Sequence, residues 1–291
     1  MTPHVADPVY LNGRFLPLAD AGVSPLDRGF LYGDGVYEVI PVYSRRPFRL
    51  DEHLQRLQHT LNGIALPQPL PPAGWRDVVL RLIESAPWED QSIYLQVTRG
   101  ADNKRDHAFP PPSVPPTVFA FASPLVTPDA DTRARGVGAI CLPDLRWSRC
   151  DLKVISLLPN VLARQLAVAQ GCAEVLLIRD GYVKEGAASN VFVVRDGLLL
   201  APPKTHLMLP GITYDVILEL AKSHGQPLEI REISEAELRS ADEVWMTSST
   251  KEILSIVSLD GQAVGTGQPG PLAARMWQSY QDFMNSVMRQ G

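Results

Sequence analysis

Alternating apolar and polar residues predict the strands in the first half of the chain. Residues 92–99 alternate as a half-buried strand does, residues 36–43 are rich in the β-branched and aromatic side chains that strands favour, and residues 117–122 predict another strand. Near the beginning, Asn12-Gly13 lies between two short apolar runs and predicts a tight hairpin. These elements supply the β part of the first half.

Apolar residues at helical spacing predict two helices between these strands. One begins with a cap at Asp51 and ends at Ile64, and the other extends over residues 75–85. A glycine-rich loop over residues 27–35 precedes a strand rather than a helix, and its glycines lack the spacing of a dinucleotide-binding loop. This mixture predicts an α+β arrangement.

Asp-Gly pairs set the pattern of the second half. They occur at residues 180–181, 196–197 and 260–261, each between apolar runs. Asp-Gly suits the tight turn of a hairpin, because a type I′ turn requires a positive φ angle at both central residues. The pattern predicts mainly an antiparallel meander rather than a doubly wound α/β sheet. Helices are predicted over residues 159–170, 213–224 and 271–288.

A chain of 291 residues is long enough for two domains. Residues 123–132 are the best candidate for a linker, because they hold two prolines and several aspartate or threonine turn formers. We expect a smaller N-terminal domain over residues 1–122 and a larger C-terminal domain over residues 133–291. The N-terminal domain includes an irregular, proline-rich loop over residues 100–116.

Composition and charge argue against several classes of function. The net charge is −5 and no run of Lys or Arg stands out, so no footprint for nucleic acid or an anionic membrane is present. Residues 1–8 hold neither a basic segment nor an apolar run, and no stretch of about 18 apolar residues occurs. We therefore expect no signal peptide, no membrane span and a cytoplasmic location. The three cysteines show no metal-ligand spacing, and Cys150 is interpreted as a small packing residue.

Lys153 is the first candidate for chemistry, because it stands between a charged segment, residues 146–151, and an apolar segment, residues 154–158. A lysine in apolar surroundings can act as a nucleophilic amine, as Schiff-base chemistry requires. The local sequence alone favours a surface lysine paired with Asp151. The catalytic interpretation therefore depends on partners elsewhere in the chain.

Glu185 offers one such partner if the cofactor is pyridoxal 5′-phosphate (PLP). A pyridine ring that acts as an electron sink needs an acidic group to keep its nitrogen protonated. Glu185 follows a predicted strand and precedes small residues, which allow a ring to approach closely. The alternative is an exposed glutamate in a hairpin.

Three places in the sequence offer groups that could bind the phosphate of such a cofactor. Gly211 lets a phosphate approach the free N–H groups at the start of a helix, and the Thr213 hydroxyl can add a hydrogen bond. Residues 248–250 offer further hydroxyls at the end of a strand, and Arg56 offers a cation. The alternatives are a plain helix start, a polar loop and an Arg56–Glu52 pair on a solvated helix face.

Taken together, these motifs resemble the fold-type IV PLP enzymes, a family that includes D-amino acid aminotransferases, branched-chain aminotransferases and aminodeoxychorismate lyases. The resemblance is collinear over nearly the whole chain. The matching segments are residues 27–29, 33–38, 52–57, 96–100, 149–153, 185–186, 189–192 and 211–213. It implies an α+β fold with an α/β sandwich-like N-terminal domain and a C-terminal pseudo-barrel built on the antiparallel meander, with helices.

The resemblance also implies a role for each candidate residue. Lys153 would be the Schiff-base lysine and proton shuttle, and Glu185 the partner of the pyridine nitrogen. The other residues assigned to the cofactor are Arg56, Ser189, Asn190, Leu209, Gly211, Ile212, Thr213, Ser248, Ser249 and Thr250. Ala187 and Ala188 depart from the pattern, since D-amino acid enzymes usually have serines there, and no hydroxyl contact is expected from them.

Within the family, Tyr37 together with Arg105 and His107 resembles the D-amino acid aminotransferases. Arg105 and His107 share a face if their loop is extended, and the three side chains can together hold a carboxylate. The resemblance implies that this loop reaches the neighbouring subunit's site in an obligate homodimer, and that the trap decides the enantiomer. The alternative is that both loop residues are simply solvated.

The expected activity is transfer of the amino group of D-amino acids, such as D-Ala or D-Glu, to 2-oxo acids such as 2-oxoglutarate or pyruvate. The kinetics would be ping-pong. The alternatives are an L-branched-chain aminotransferase, an aminodeoxychorismate lyase, an (R)-amine transaminase and a non-enzymatic α+β dimer.

Overall fold

The computed structural model of the protein describes residues 5–289. Residues 1–4 and 290–291 lie outside the described part, and with them half of the N-terminal segment over residues 1–8 and the outer ends of both predicted domains.

The described chain forms two compact units. One contains the chain up to Leu125 together with Leu152–Leu157, and the other contains Val126–Asp151 together with the chain from Leu158 onward. The changeover after Leu125 lies within the predicted linker. Lys153, however, belongs by its contacts to the first unit, whereas its place in the sequence is within the predicted C-terminal domain.

The first unit contains a six-stranded sheet. Its strands are β1 (Val9–Leu11), β2 (Arg14–Leu16), β3 (Gly35–Tyr43), β4 (Arg46–Pro47), β5 (Gln91–Thr98) and β6 (Thr117–Pro124). They lie in the order β2-β1-β6-β5-β3-β4, and every neighbouring pair is antiparallel. The helices are α1 (Arg28–Tyr32), α2 (Leu50–Gly63) and α3 (Pro72–Ser85), and a short 3-10 helix covers Leu18–Asp20. The predicted strands and the hairpin at Asn12-Gly13 are confirmed.

Alternation along the strands buries one face of this sheet against α2 and α3. Ile40 on β3 and Ile93 on β5 pack in one buried cluster with Leu57 of α2 and Leu82 of α3. Because successive side chains of a strand point to opposite faces, Tyr37 of β3 is turned away from this core. The helical spacing of apolar residues in the sequence thus corresponds to the inner faces of both helices.

Two local predictions in this unit differ from the structure. The N-cap of α2 is Arg49 rather than Asp51, which lies in the first turn, where a negative charge suits the helix dipole. The glycine-rich segment predicted as a loop contains α1. Asp27 caps this helix by accepting a hydrogen bond from the Gly29 amide, and Gly33 ends it with a left-handed φ of 66°.

The second unit contains a nine-stranded sheet. Its strands are β7 (Val137–Pro143), β8 (Glu174–Arg179), β9 (Tyr182–Gly186), β10 (Asn190–Arg195), β11 (Leu198–Ala201), β12 (Leu228–Ile230), β13 (Glu243–Ser248), β14 (Glu252–Leu259) and β15 (Gln262–Ala263). The order is β12-β11-β10-β13-β14-β7-β8-β9, with β15 paired to β14. The predicted hairpins are confirmed, since the three Asp-Gly pairs at residues 180–181, 196–197 and 260–261 have positive φ at both positions.

Three pairings in this sheet are parallel and go beyond the predicted meander. They join β7 to β8, β7 to β14 and β11 to β12. Parallel neighbours need a crossover connection, and helices supply it between β7 and β8 and between β11 and β12. The hairpin signal is local and reveals the antiparallel pairs, whereas these crossovers join strands that are distant in sequence.

The helices of the second unit are α4 (Ala130–Arg135), α5 (Leu158–Ala169), α6 (Ile212–Ser223), α7 (Glu235–Arg239) and α8 (Pro271–Met284), followed by a π-helix at Asn285–Arg289. The predicted linker over residues 123–132 is therefore partly ordered as regular structure, because β6 extends to Pro124 and α4 begins at Ala130. In the part of the chain described here, no helix is long and apolar enough to cross a bilayer.

Candidate active site

Lys153, Tyr37, Arg56, Arg105 and His107 belong to the first unit, and the other candidate residues belong to the second.

Lys153 lies on a short segment that pairs with β3. The Tyr37 amide donates to the Lys153 carbonyl at 3.0 Å, and Val36 and Val154 form an antiparallel bridge. Leu152 and Val154 are buried in the core of the unit. The alternation turns the intervening lysine side chain the other way, and its Nζ lies 4.2 Å from the centre of the Tyr37 ring. Lys153 is thus a half-buried residue held by a sheet.

A buried ionic cluster holds Arg56. Its Nε and Nη2 each donate to Glu38 at 2.7 Å, and His53 Nδ1 lies 2.9 Å from the same carboxylate. Burial opposes the charge of Glu38, but Arg56 overcomes this effect and holds the pKa of Glu38 far below its usual range. Burial, aided by the charges of Arg56 and Lys153, lowers the pKa of His53 despite Glu38. A neutral His53 can then donate to Glu38, and Arg56 is fixed as a buried cation.

The acidic residues of the two alternative ion pairs, Lys153–Asp151 and Arg56–Glu52, bind other arginines in the structure. Asp151, the alternative partner of the lysine, accepts two hydrogen bonds from Arg149 at 3.0 Å. Glu52 accepts one from Arg49 at 3.0 Å, whereas Arg56 is buried on the side of α2 that faces the sheet.

Arg105 and His107 lie against one ring, that of Tyr32. The Arg105 guanidinium is 5.3 Å and the His107 ring 5.5 Å from the centre of the Tyr32 ring. Both side chains are exposed. Tyr37, the third predicted member of the carboxylate trap, stacks on Tyr94 at 5.8 Å and lies beside the lysine. Sequence reasoning missed Tyr32, which lies in the glycine-rich segment and is marked only by its aromatic side chain.

Glu185 is the penultimate residue of β9, and its buried carboxylate has several donors around it. Arg146 forms an ion pair with its Oε1, while the Leu209 amide donates to Oε2 at 3.1 Å and the Asn190 side chain at 3.4 Å. Burial nevertheless raises the pKa of Glu185 to about 7, because Arg146 offsets only part of the cost of burying the charge. Arg146 is shared with Asp144, to which it donates at 2.9 and 3.0 Å.

Arg146 was given no role from sequence. It lies in the charged segment before Lys153, but its partner Glu185 is 39 residues further along the chain. No local spacing reveals a pairing over that distance.

The start of α6 lies beside Asn190. The Asn190 amide donates to the Leu209 carbonyl at 3.0 Å, and a Cβ placed on Gly211 would lie only 2.0 Å from the Asn190 oxygen. Gly211 is the N-cap of α6 and provides no side-chain cap, so first-turn N–H groups are left for a ligand, with Thr213 next to them. The closeness of the Asn190 side chain therefore already requires glycine at position 211, whether or not a ligand is bound.

Ser189 is engaged within the protein. Its hydroxyl donates to Glu174 at 2.8 Å, and Lys251 donates to the same carboxylate oxygen at 2.9 Å. The hydroxyl hydrogen of Ser189 is therefore already used. A hydrogen bond from this hydroxyl to the cofactor, to which the resemblance assigned Ser189, would require the bond to Glu174 to break.

The hydroxyl-bearing turn, Ser248–Thr250, begins at the last residue of β13 and is half-buried. In the antiparallel pairing of β13 and β10, Thr247 lies opposite Asn190. Because the Asn190 side chain contacts Glu185, this pairing brings the turn close to Glu185. The Thr247 hydroxyl is buried and has no hydrogen-bond partner among the described residues. An orphan hydroxyl beside the turn is a polar group that a ligand could satisfy.

The residues of the second unit fit PLP. A protonated ring nitrogen would supply the positive charge that Glu185 needs to be ionised, and the uncapped start of α6 suits a phosphate. Arg56 and the half-buried Lys153 of the first unit are a cation and an amine of the kind that this cofactor requires.

Comparison with known proteins decides the family. The sequence model for amino-transferase class IV matches residues 35–259. The chain belongs to this family. Similar proteins include a D-alanine aminotransferase of Bacillus licheniformis, 38% identical over 281 residues that cover 96% of this chain and 97% of the relative. Another is a D-alanine aminotransferase of Staphylococcus epidermidis, 36% identical over 278 residues that cover 96% and 98%.

Solved structures of branched-chain amino acid aminotransferases resemble this class IV chain in fold. The Escherichia coli enzyme has a TM-score of 0.87 at 29% identity, covering 95% of this chain and 94% of its own. The enzyme from Thermoproteus uzoniensis, solved with norvaline, has a TM-score of 0.84 at 26% identity, covering 97% and 95%. The α+β prediction of a fold-type IV protein is confirmed.

Proposed function

We propose that this protein is a PLP-dependent D-amino acid transaminase. It transfers the amino group of D-amino acids, such as D-Ala or D-Glu, to 2-oxo acids such as 2-oxoglutarate or pyruvate. The main observation in favour of PLP is the buried Glu185, whose pKa is raised to about 7 and which lies beside the uncapped start of α6. The substrate class is supported by the exposed Arg105 and His107 and by similarity to D-alanine aminotransferases.

Each candidate residue has a defined task in this proposal. Lys153 would hold the aldehyde carbon of PLP, Glu185 the ring nitrogen, and Arg56, Gly211 and Thr213 the phosphate. The bound cofactor supplies an electron sink for the substrate's Cα. Further cofactor contacts are proposed for Asn190, Leu209, Ile212, Ser248, Ser249 and Thr250.

Lys153 also moves a proton. When the substrate amine has displaced Nζ from the aldehyde carbon, the freed Nζ would accept the proton from the substrate's Cα and donate it to the former aldehyde carbon. The adjoining Tyr37 ring limits where the amine can go. Arg105 and His107 bind the substrate carboxylate, Arg105 through two parallel N–H bonds. The donor and the acceptor use the same groups in turn, so the kinetics are ping-pong.

The proposal extends to assembly, domains and location. Association into a homodimer is supported by the outer side of α5, where Leu158, Val161, Leu162 and Leu166 are 67%, 58%, 58% and 51% exposed. In this dimer the loop of one subunit would serve its partner. The two units would be the small and large domains, separated near residues 123–132. A cytoplasmic location agrees with the free thiols of the three cysteines. Sedimentation and cell fractionation test these points.

The deciding experiment compares D-Ala with L-Leu as amino donors to 2-oxoglutarate. We expect turnover of D-Ala by the wild type, its loss in Lys153→Ala, and a raised KM in Arg105→Ala. Preference for L-Leu, unaffected by Arg105→Ala, would instead establish the second candidate, an L-branched-chain aminotransferase. That candidate is favoured by the fold similarity to branched-chain enzymes. Pyruvate release without an amino acceptor would indicate a lyase.

A further inference from the structure

The loop that carries Arg105 and His107 rests on a buried arginine that the proposed activity does not use. We propose that Arg28 is a positioning residue: it fixes the backbone of residues 106–108 and thereby aims Arg105 and His107 at the substrate carboxylate. This inference rests on the proposed function, because it explains what holds the substrate-binding residues of that function in position.

Arg28 holds three successive carbonyl groups of the loop. Its Nη1 donates to the carbonyls of Asp106 at 2.6 Å and Ala108 at 3.1 Å, and its Nη2 donates to that of His107 at 3.3 Å. Three acceptors in consecutive residues fix the peptide planes on both sides of His107. Only a planar fork with several donors can do this, and a lysine ammonium cannot reproduce it.

An ion pair keeps Arg28 in place. Its Nε donates to Asp34 Oδ2 at 2.8 Å, and Arg99 binds the same carboxylate at 2.8 and 3.0 Å. Burial would raise the pKa of Asp34, but Arg99 and Arg28 overcome burial and lower it. The Arg99 guanidinium also lies 3.7 Å from the centre of the Phe109 ring. Two arginines joined by one carboxylate therefore support the loop from below.

The base of the loop is closed by backbone contacts. The Arg28 amide donates to the Gly100 carbonyl at 2.9 Å, and Asp27 forms an antiparallel bridge with Ala101. Gly100 has a φ of 84°, and a Cβ there would lie 2.1 Å from the Pro115 carbonyl oxygen. The two ends of the loop thus meet at one point, directly beside α1.

Tyr32 completes the support from α1. Its ring centre lies 4.8 Å from the Arg28 guanidinium, 5.3 Å from that of Arg105 and 5.5 Å from the His107 ring. The Tyr32 ring therefore contacts Arg28 as well as the two side chains, Arg105 and His107, that are proposed to bind the substrate carboxylate. Arg28 is buried, whereas Arg105 and His107 are exposed. A buried charge is unfavourable unless it is fully paired, and here the pairing fixes the geometry of exposed groups.

The test uses Arg28→Lys and Arg28→Gln, with Arg76→Gln as the control. Arg76 is a partly exposed arginine that pairs with Asp51 on the helices of the same unit. We expect KM for D-Ala to rise on the order of 10²-fold in Arg28→Gln and less in Arg28→Lys, with kcat and PLP content nearly unchanged. The control should behave as the wild type.

Trypsin provides a readout that does not depend on activity. Lys104 and Arg105 are exposed cleavage sites within the loop, and loosening of residues 106–108 should speed cleavage there by at least about tenfold. Unchanged KM and unchanged cleavage would overturn the proposal, as would a loss of kcat and PLP that shows general damage. A wild type inactive on D-Ala would refute the proposed function, whereas the cleavage rates would still decide whether Arg28 fixes the loop.

Discussion

The raised pKa of Glu185 makes the stability of the cofactor-free protein depend on pH. The pKa rises from 4.5 to about 7 because the carboxylate is buried. Folding therefore favours the protonated form, and stability is lost as pH rises through this window. Each pKa unit corresponds to about 1.4 kcal/mol, so ionised Glu185 costs the folded apoprotein about 3 kcal/mol at pH values above about 7.

Urea unfolding of the apoprotein at about pH 5 and about pH 8 measures this effect against Glu185→Gln, which has no charge to bury. The wild type should lose about 2–3 kcal/mol relative to the variant between the two pH values. Glu84→Gln, a change of an exposed glutamate on α3, is the control. With PLP bound the difference should shrink, because the ring nitrogen compensates the charge. A difference between wild type and Glu185→Gln that does not change with pH would refute the reasoning.

Three further changes test individual contacts. Ser189→Ala should leave PLP affinity within about threefold, since the hydroxyl already donates to Glu174; equilibrium dialysis would show it. Gly211→Ala should weaken PLP binding, measured by titration, because its Cβ would lie 2.0 Å from the Asn190 oxygen and displace the start of α6. Glu38→Gln should lower the unfolding free energy by about 3–5 kcal/mol at neutral pH, since it leaves a buried arginine uncompensated. Because the pKa of Glu38 is lowered in the fold, that difference should shrink below about pH 4.5, as acid removes the wild type's advantage.

Local signals were sufficient for much of the fold. Asp-Gly at residues 180–181 and 196–197 predicts hairpins because the turn geometry depends on those residues alone. The strand over residues 92–99 follows from alternation, and the structure has it as Gln91–Thr98. Candidate residues within one continuous stretch, such as Leu209–Thr213, can be proposed from local sequence in the same way, because the start of a helix is encoded in its own residues.

The remaining features depend on contacts between distant residues. Arg56 pairs with Glu38 across the helix and the sheet, where local spacing had offered Glu52. Arg146 meets Glu185 from 39 residues away, and Arg28 meets the loop from about 80. Side chains with several donors can satisfy many partners, so their identity alone does not select one.

The return of Leu152–Leu157 to the first unit limits how this protein can be divided. A fragment ending at Leu125 would lack the segment that forms the bridge to Val36, and the edge of β3 would lose its partner. The complementary fragment would carry Lys153 on a tether without the sheet that orders it. The position of the Lys153 side chain thus depends on sequence from both sides of the division, and neither gene fragment would supply a module that can be exchanged by itself.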